Sequence, residues 1–173
     1  SKRAQKALET SDLPKYYFDL KKALKAYEKN DTPYTPAVSL IVGLQKAIEI
    51  IKKDMDTRWE KFEKMAKATQ EAAKAIGLGV FSKSPSASVT AITVPENIKS
   101  SEIVKKLRTE YGLSIAGGQA QLKDKIIRVA HMGWINEQDL VAAFSLIEKT
   151  LKDVGHKFNV GASVARLQEV FYG

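Results

Sequence analysis

The chain has 173 residues, of which 44% are hydrophobic and 28% charged, a balance that argues against disorder over most of its length. It has no cysteine and no apolar run near the ~20 residues that span a bilayer, so we expect a soluble cytoplasmic protein without disulfides or thiolate zinc sites. The formal net charge of +8 would suit a nucleic acid, but the lysines alternate with glutamates at helical spacing, which favours a solvated surface.

The N-terminal third is predicted to be helical. Residues 1–12 form one helical segment that ends at a proline, and apolar residues at helical spacing predict a second helix within residues 16–27. Two prolines make residues 31–36 a rigid loop. Thr35 is predicted to cap the next helix, because a hydroxyl followed by proline in the first turn is a typical helix start.

A long apolar stripe follows this loop. Hydrophobic residues recur at helical spacing from residue 40 to residue 66, and neither glycine nor proline interrupts residues 44–76. Such a helix would be roughly 50 Å long, whereas a compact domain of this size is about 40 Å across. We therefore expect the helix either to bend near residues 54–57 or to cross between two lobes.

The C-terminal part alternates between strand and helix patterns. Gly112 and Gly155 mark helix ends, and Asn136 with Asp139 forms a capping-box pattern. The order strand–helix–strand–strand–helix predicts an α+β fold, a small and mostly antiparallel sheet covered by helices on one face. The predicted strands are near residues 80–81, 88–94, 113–116 and 125–130, and the predicted helices are 100–111, 136–153 and 162–171.

Few residues suggest catalytic chemistry. His131 and His156 lie far apart and lack the partners of a metal site, so we predict none. The sequence also lacks a phosphate loop, a nucleophile elbow and a dinucleotide-binding fingerprint. Gly117 and Gly118 are typical of a turn, with close approach to a ligand as the alternative.

Arg128 is the exception, because it lies within an apolar strand, Ile-Ile-Arg-Val-Ala. Strand alternation puts Ile127 and Val129 on one face and Arg128 on the other. An unpaired buried charge is costly, so the guanidinium must reach solvent, an acidic partner or a ligand. A substrate carboxylate held by two parallel hydrogen bonds is the functional alternative to an exposed side chain.

Three segments stand out in order along the chain: DTPYTPAVSL (31–40), GLSIAGGQ (112–119) and KIIRVAHMG (125–133). Together, and with matching spacing, they resemble class V aminotransferases of the alanine–glyoxylate and serine–pyruvate branch, which includes proteins labelled as small subunits of soluble hydrogenase. This resemblance covers nearly the whole chain. It implies the C-terminal part of a fold type I pyridoxal-phosphate-dependent transferase, assembled as a homodimer with active sites at the interface. Residues 1–76 would end the large cofactor domain with a long connecting helix, and residues 77–173 would be the small domain.

The resemblance implies roles for six positions. Arg128 is similar to the family's anchor for the substrate carboxylate, and Gly117 and Gly118 would let the backbone pass close to substrate. The capping role predicted for Thr35 competes with a ligand role for the same hydroxyl. The candidates for contact with the phosphate of pyridoxal 5'-phosphate across the dimer are Thr32 and Thr35, with Tyr34 behind them as a further cofactor-binding residue.

The lysine that binds the cofactor in this family has no counterpart here. That lysine, the aspartate at the ring nitrogen and the aromatic stacking residue would all precede residue 1. Lys6 is only ten residues from Tyr16, with a helical pattern between them, where the family has a proline–glycine turn and a further strand. We therefore expect a fragment that supplies no catalytic residue and has no activity alone.

The function implied by the resemblance is transfer of an amino group between alanine or serine and an oxoacid such as glyoxylate or pyruvate. Two alternatives stay open: a basic nucleic-acid-binding module and a non-catalytic assembly subunit. The first needs aromatic residues on its central strands as stacking platforms. Residues 88–94 and 125–130 contain none, so we expect neither a nucleic-acid nor a membrane partner.

Overall fold

The computed structural model describes residues 1–173, which form two compact units, Ser1–Lys53 and Asp54–Gly173. None of its helices is both long enough and apolar enough to cross a membrane. The first unit consists of α1 (Lys2–Thr10), α2 (Leu20–Tyr27) and α3 (Val38–Lys52). The second consists of α4 (Met55–Ala75), β1 (Gly79–Val80), β2 (Val89–Thr93), α5 (Ser100–Tyr111), β3 (Ala116–Gly117), β4 (Ile126–Ala130), α6 (Glu137–Asp153) and α7 (Ala162–Tyr172).

The predicted long helix is interrupted between α3 and α4, close to the bend expected near residues 54–57. Asp54 binds the guanidinium of Arg58 through Oδ1, at 3.0 Å from Nε and 2.6 Å from Nη2. Helix α4 belongs to the second unit and packs along α7 and the sheet, whereas we predicted a boundary after residue 76. The assignment of residues 1–76 and 77–173 to two domains of a larger enzyme stays a prediction.

The prediction that Thr35 caps α3 is wrong. The residue before the helix is Ala37, with φ −78° and ψ 64°, and no side chain caps the helix. The Val38 N–H donates to the Pro36 carbonyl at 2.9 Å, so residues 36–38 form an inverse γ-turn. This turn takes the place of the helical turn that would have used the Thr35 hydroxyl.

The sheet is antiparallel throughout, with strand order β1-β2-β4-β3. Its buried face carries Thr90 and Ile92 on β2 and Ile127 and Val129 on β4, while Arg128 lies on the opposite face, as alternation predicted. β3 is shorter than predicted, because residues 113–115 do not pair with β4. The two central strands, β2 and β4, carry no aromatic side chain.

The core of the second unit lies between the sheet and its helices. α4 and α7 pack on each other, α6 packs on α7 and α5, and α5 packs on β3 and β4. The antiparallel sheet with helices packed on its buried face confirms the predicted α+β architecture. Side chains with no exposed surface that meet in this core include Ala68, Ile92, Ile127, Phe144, Leu151 and Leu167.

The predicted C-terminal end of α5 and the predicted α6 are confirmed, whereas α5 begins after Lys99 without the serine cap that its sequence suggests. Asn136 Oδ1 accepts from the Asp139 N–H at 3.0 Å, and Asp139 Oδ2 accepts from the Asn136 N–H at 2.9 Å. Gly112, which ends α5, has a φ of 66°, and Gly155, just past α6, has a φ of 85°. Glycine adopts this left-handed conformation without the steric cost of a side chain, which is why it ends helices so often.

Glu148 joins α6 to the start of α7. Its side chain is buried, and its carboxylate accepts from the Gly161 N–H at 2.6 Å, the Ser163 N–H at 2.8 Å and the Ser163 hydroxyl at 2.6 Å. These donors belong to the N-terminal turn of α7, where the helix dipole also favours a negative charge. A buried carboxylate is tolerated here because three donors replace its hydration.

We expect Glu148→Gln to lower the free energy of unfolding by about 2–3 kcal/mol, because the amide nitrogen would face donors that need an acceptor. Glu169→Gln is the matched control, since the Glu169 side chain is 63% exposed and only pairs with Arg166 at the surface. Urea denaturation of both variants measures the difference. Equal losses would contradict a specific role for the buried carboxylate.

Candidate functional site

Arg128 is half-buried on the open face of the sheet. Its Nε donates to the Gly117 carbonyl at 3.0 Å, across the pair formed by β3 and β4. Its guanidinium forms no salt bridge with any carboxylate of the chain. One nitrogen is therefore held by the backbone, and the two Nη atoms remain available to a ligand.

Arg128 lines an open cavity of about 450 Å³ between the end of β4, residues 113–116 and the first turns of α6. Arg108, on α5, lines the same cavity, and its Nη2 lies 3.4 Å from the Ser114 hydroxyl. The Asp139 carboxylate is also at the wall but is engaged by the capping box. The volume falls within the roughly 300–1,000 Å³ of ligand sites, and two guanidiniums favour an anionic ligand.

Arg108 was not among the residues predicted from the sequence to bind a ligand. It lies on the exposed side of an amphipathic helix, where an arginine is the common residue type, so its spacing carries no signal. Only the packing of α5 against β3 brings it to the cavity that Arg128 lines.

Gly117 and Gly118 differ in how tightly they are packed. A Cβ on Gly117 would lie 3.8 Å from Val104 Cγ2, which is an ordinary contact. A Cβ on Gly118 would overlap the carbonyl oxygen of Leu122 and lie 2.5 Å from its carbonyl carbon. Gly118 is thus required by the turn, whereas the role of both glycines near substrate stays a prediction.

Thr32, Tyr34 and Thr35 lie together in the first unit. The Thr32 hydroxyl donates to the Tyr34 carbonyl at 2.7 Å, and the Tyr34 hydroxyl donates to the Tyr16 carbonyl at 2.7 Å. The Tyr34 ring stacks on Tyr17 with centroids 4.6 Å apart. Thr35 is exposed and does not cap α3. Contrary to the prediction, its hydroxyl is therefore not engaged by the helix.

His131 follows β4 and is fully buried. Its Nδ1 lies 3.1 Å from the Ala87 carbonyl, which requires a proton on Nδ1, and its Nε2 lies 2.9 Å from the Thr90 hydroxyl, which then donates to it. Burial lowers the pKa of His131 below its ordinary value, because desolvation disfavours the charged form. These contacts tie the end of β4 to β2 and to the segment before it.

Relatives of known sequence cover nearly all of this chain. It is 37% identical over 175 residues to the soluble hydrogenase 42 kDa subunit of Anabaena cylindrica, which covers 99% of this chain and 45% of that protein. It is 34% identical over 170 residues to serine–glyoxylate aminotransferase of Arabidopsis thaliana, which covers 95% of this chain and 42% of that protein. The chain is homologous to the class V aminotransferases.

This class V aminotransferase homologue spans less than half the length of those relatives. No protein-family model matches it. The solved structure of ureidoglycine–glyoxylate aminotransferase from Bacillus subtilis superposes on 100% of this chain and 46% of its own, with a TM-score of 0.90 and 22% identity. The expected fold, the C-terminal part of a fold type I transferase, is thereby confirmed.

The lowered pKa of His131 predicts a loss of stability in mild acid. The unfolded chain binds this proton near pH 6.5, at a higher pH than the folded chain does. The stability that depends on neutral His131 is therefore fully present above pH 6.5 and is lost as the pH falls through the lowered value. Denaturation at a series of pH values should show this decline in the class V aminotransferase homologue.

His131→Gln is the control for that experiment. We expect it to be less stable at neutral pH, because the buried hydrogen bonds change, but to lose the decline that starts below pH 6.5. The carboxyl groups whose pKa values are lowered, such as Asp153 beside Lys106, titrate in more acidic solution. An unchanged pH dependence in the variant would show that another group is responsible.

Proposed function

We propose that the protein to which these residues belong is a pyridoxal-phosphate-dependent aminotransferase. It transfers an amino group between a small amino acid, alanine or serine, and an oxoacid such as glyoxylate or pyruvate. The observation that carries the proposal is the half-buried Arg128, which faces a cavity without a carboxylate partner of its own. The homology to serine–glyoxylate aminotransferase supports the reaction class.

Arg128 suits a substrate carboxylate better than a structural ion pair. The two Nη atoms of a guanidinium form two parallel hydrogen bonds with one carboxylate, which fixes both its position and its plane. Amino acids and oxoacids share an α-carboxylate, so one anchor serves both substrates of a transamination. By fixing that group, Arg128 orients the Cα–H bond of the amino acid for proton removal.

Thr35 is the residue that we propose for the cofactor phosphate. A phosphate needs hydrogen-bond donors, and the exposed Thr35 hydroxyl is not engaged by its own helix. The Thr32 and Tyr34 hydroxyls already donate to backbone carbonyls, so we propose that they hold the loop in shape. The donor set of this loop therefore fits the phosphate group of pyridoxal phosphate through Thr35.

When bound, pyridoxal phosphate supplies the electron sink that stabilises the carbanion formed at Cα. This chain contributes binding and orientation to that chemistry: Arg128 holds the carboxylate and Thr35 donates to the phosphate. We propose that the lysine that moves the proton is supplied by sequence outside residues 1–173, and that the loop at residues 31–36 serves the active site of the partner in a homodimer.

Replacing Arg128 tests the anchor directly. Arg128→Ala in the complete enzyme should raise KM for the amino acid roughly 100-fold, because two charge-assisted hydrogen bonds are lost, while the Kd of the cofactor changes little. Arg166→Ala also removes one arginine, but from a surface ion pair with Glu169 outside this cavity, and is the matched control. Steady-state kinetics and a cofactor titration measure both. An equal rise in the two variants, or a parallel loss of cofactor affinity, would refute the assignment.

The second candidate is a non-catalytic assembly subunit. It is favoured by the names of two relatives, the soluble hydrogenase 42 kDa subunit of Anabaena cylindrica and the soluble hydrogenase small subunit of Synechococcus. Absorbance of the purified complete protein separates the two, because an aminotransferase shows a cofactor band that disappears when an amino acid donor is added. Residues 1–173 alone should show no turnover, and measurable transamination by them would contradict the proposed division of roles.

A further inference from the structure

We infer that the main-chain carbonyl of Gly117 is the group that orients Arg128 for carboxylate binding, and that Gly118 must be glycine to keep that carbonyl in place. The inference rests on the proposed function, in which Arg128 is the substrate anchor. It adds a positioning role for two residues that touch neither the substrate nor the cofactor through a side chain.

Arg128 contacts the main chain of the neighbouring strand. Arg128 and Ala116 are paired across β4 and β3, and the arginine side chain reaches the carbonyl of the next residue on β3, with Nε 3.0 Å from Gly117 O. A guanidinium is planar, so one hydrogen bond at Nε fixes the direction of the whole fork along the side chain. The remaining donors are on Nη1 and Nη2, the pair that matches a carboxylate end-on.

The turn that joins β3 to β4 packs tightly against Gly118. The Gly118 N–H donates to the Ile126 carbonyl at 3.0 Å, and the Lys125 N–H donates to the Leu122 carbonyl at 3.1 Å. Gly118 lies directly against that same Leu122 carbonyl, where a Cβ would overlap the oxygen. A Cβ there would also be 3.0 Å from Ile126 Cγ1. Backbone atoms form this obstacle, so a side chain at position 118 displaces main chain.

The peptide plane between Gly117 and Gly118 connects the turn to Arg128. Gly117 C and O and Gly118 N and Cα lie in one rigid peptide plane. A shift of Gly118 away from Leu122 therefore turns the plane that carries the Gly117 carbonyl. Because the Arg128 Nε–H donates to that oxygen, the direction of the guanidinium changes with it. Gly117 itself has room for a Cβ, with its nearest neighbours at 3.8 and 4.0 Å, so an alanine there leaves the plane unchanged.

The two glycines therefore provide a matched pair of variants, each adding one methyl group. In the complete enzyme, we expect Gly118→Ala to raise KM for the amino acid on the order of ten- to a hundredfold, because misplacement by about 1 Å has effects of this size. Gly117→Ala should raise KM less than Gly118→Ala does, since the carbonyl is retained and the added methyl group makes only ordinary contacts. Cofactor affinity should be unchanged in both. Equal effects of the two substitutions, or none from Gly118→Ala, would overturn the inference.

A second measurement does not depend on catalysis, and its first comparison needs only the wild-type chain. The Nε–H signal of Arg128 in NMR spectra of the 173-residue chain should exchange with water more slowly than that of Arg3, which is exposed on α1. In Gly117→Ala it should stay protected, and in Gly118→Ala it should exchange faster. Exchange of Arg128 as fast as that of Arg3 in the wild type would overturn the orienting contact.

The same pair of measurements separates this inference from the proposed function. If Arg128→Ala leaves KM for the amino acid unchanged while the Arg128 Nε–H is protected, the contact exists but the anchor assignment fails. If Arg128→Ala raises KM as expected while the Nε–H is unprotected, the anchor stands and the orienting role of Gly117 is wrong.

Discussion

The hydrogen bond from Arg128 to the Gly117 carbonyl holds a permanent positive charge on a strand whose neighbours are isoleucine, valine and alanine. A guanidinium in this position is tolerable only if its donors are satisfied or reach solvent. One donor is satisfied by the backbone, and the residue lines an open cavity. The contact depends on the pairing of β3 with β4, and that pairing depends in turn on the core, which fixes Ile127 and Val129 on the opposite face.

The parts of the fold that could be predicted are those in which local chemistry and tertiary packing agree. The Asn136–Asp139 box starts α6, and Gly112 ends α5, because each satisfies backbone groups within a few residues of itself. The face of Arg128 followed from strand alternation alone, since the pleat of a strand leaves no other choice. In each case the signal and the structure that it specifies are adjacent in sequence.

The rest could not be predicted, because it depends on contacts between distant segments or on competing local conformations. Thr35 followed by Pro36 is equally compatible with a helix cap and with the inverse γ-turn that forms at Ala37. The break between α3 and α4 has neither glycine nor proline, so the sequence left a bend near residues 54–57 as one of two alternatives. The break coincides with the point where α4 begins to pack as part of the second unit. The cavity at Arg128 is formed by the way α5 and α6 pack beside β4, and no sequence motif predicts that packing.

The group that orients Arg128 is a main-chain carbonyl, and this limits what mutagenesis of side chains in the site can detect. Replacing side chains one at a time by alanine would detect the loss of Arg128. It would not detect the Gly117 carbonyl, because that carbonyl is retained in every substitution at position 117. The influence of that carbonyl would surface one residue later, at Gly118, as an intolerance of any larger residue. Such a survey would detect the requirement of the turn for glycine at position 118, but not that the same turn fixes the carbonyl to which Arg128 donates.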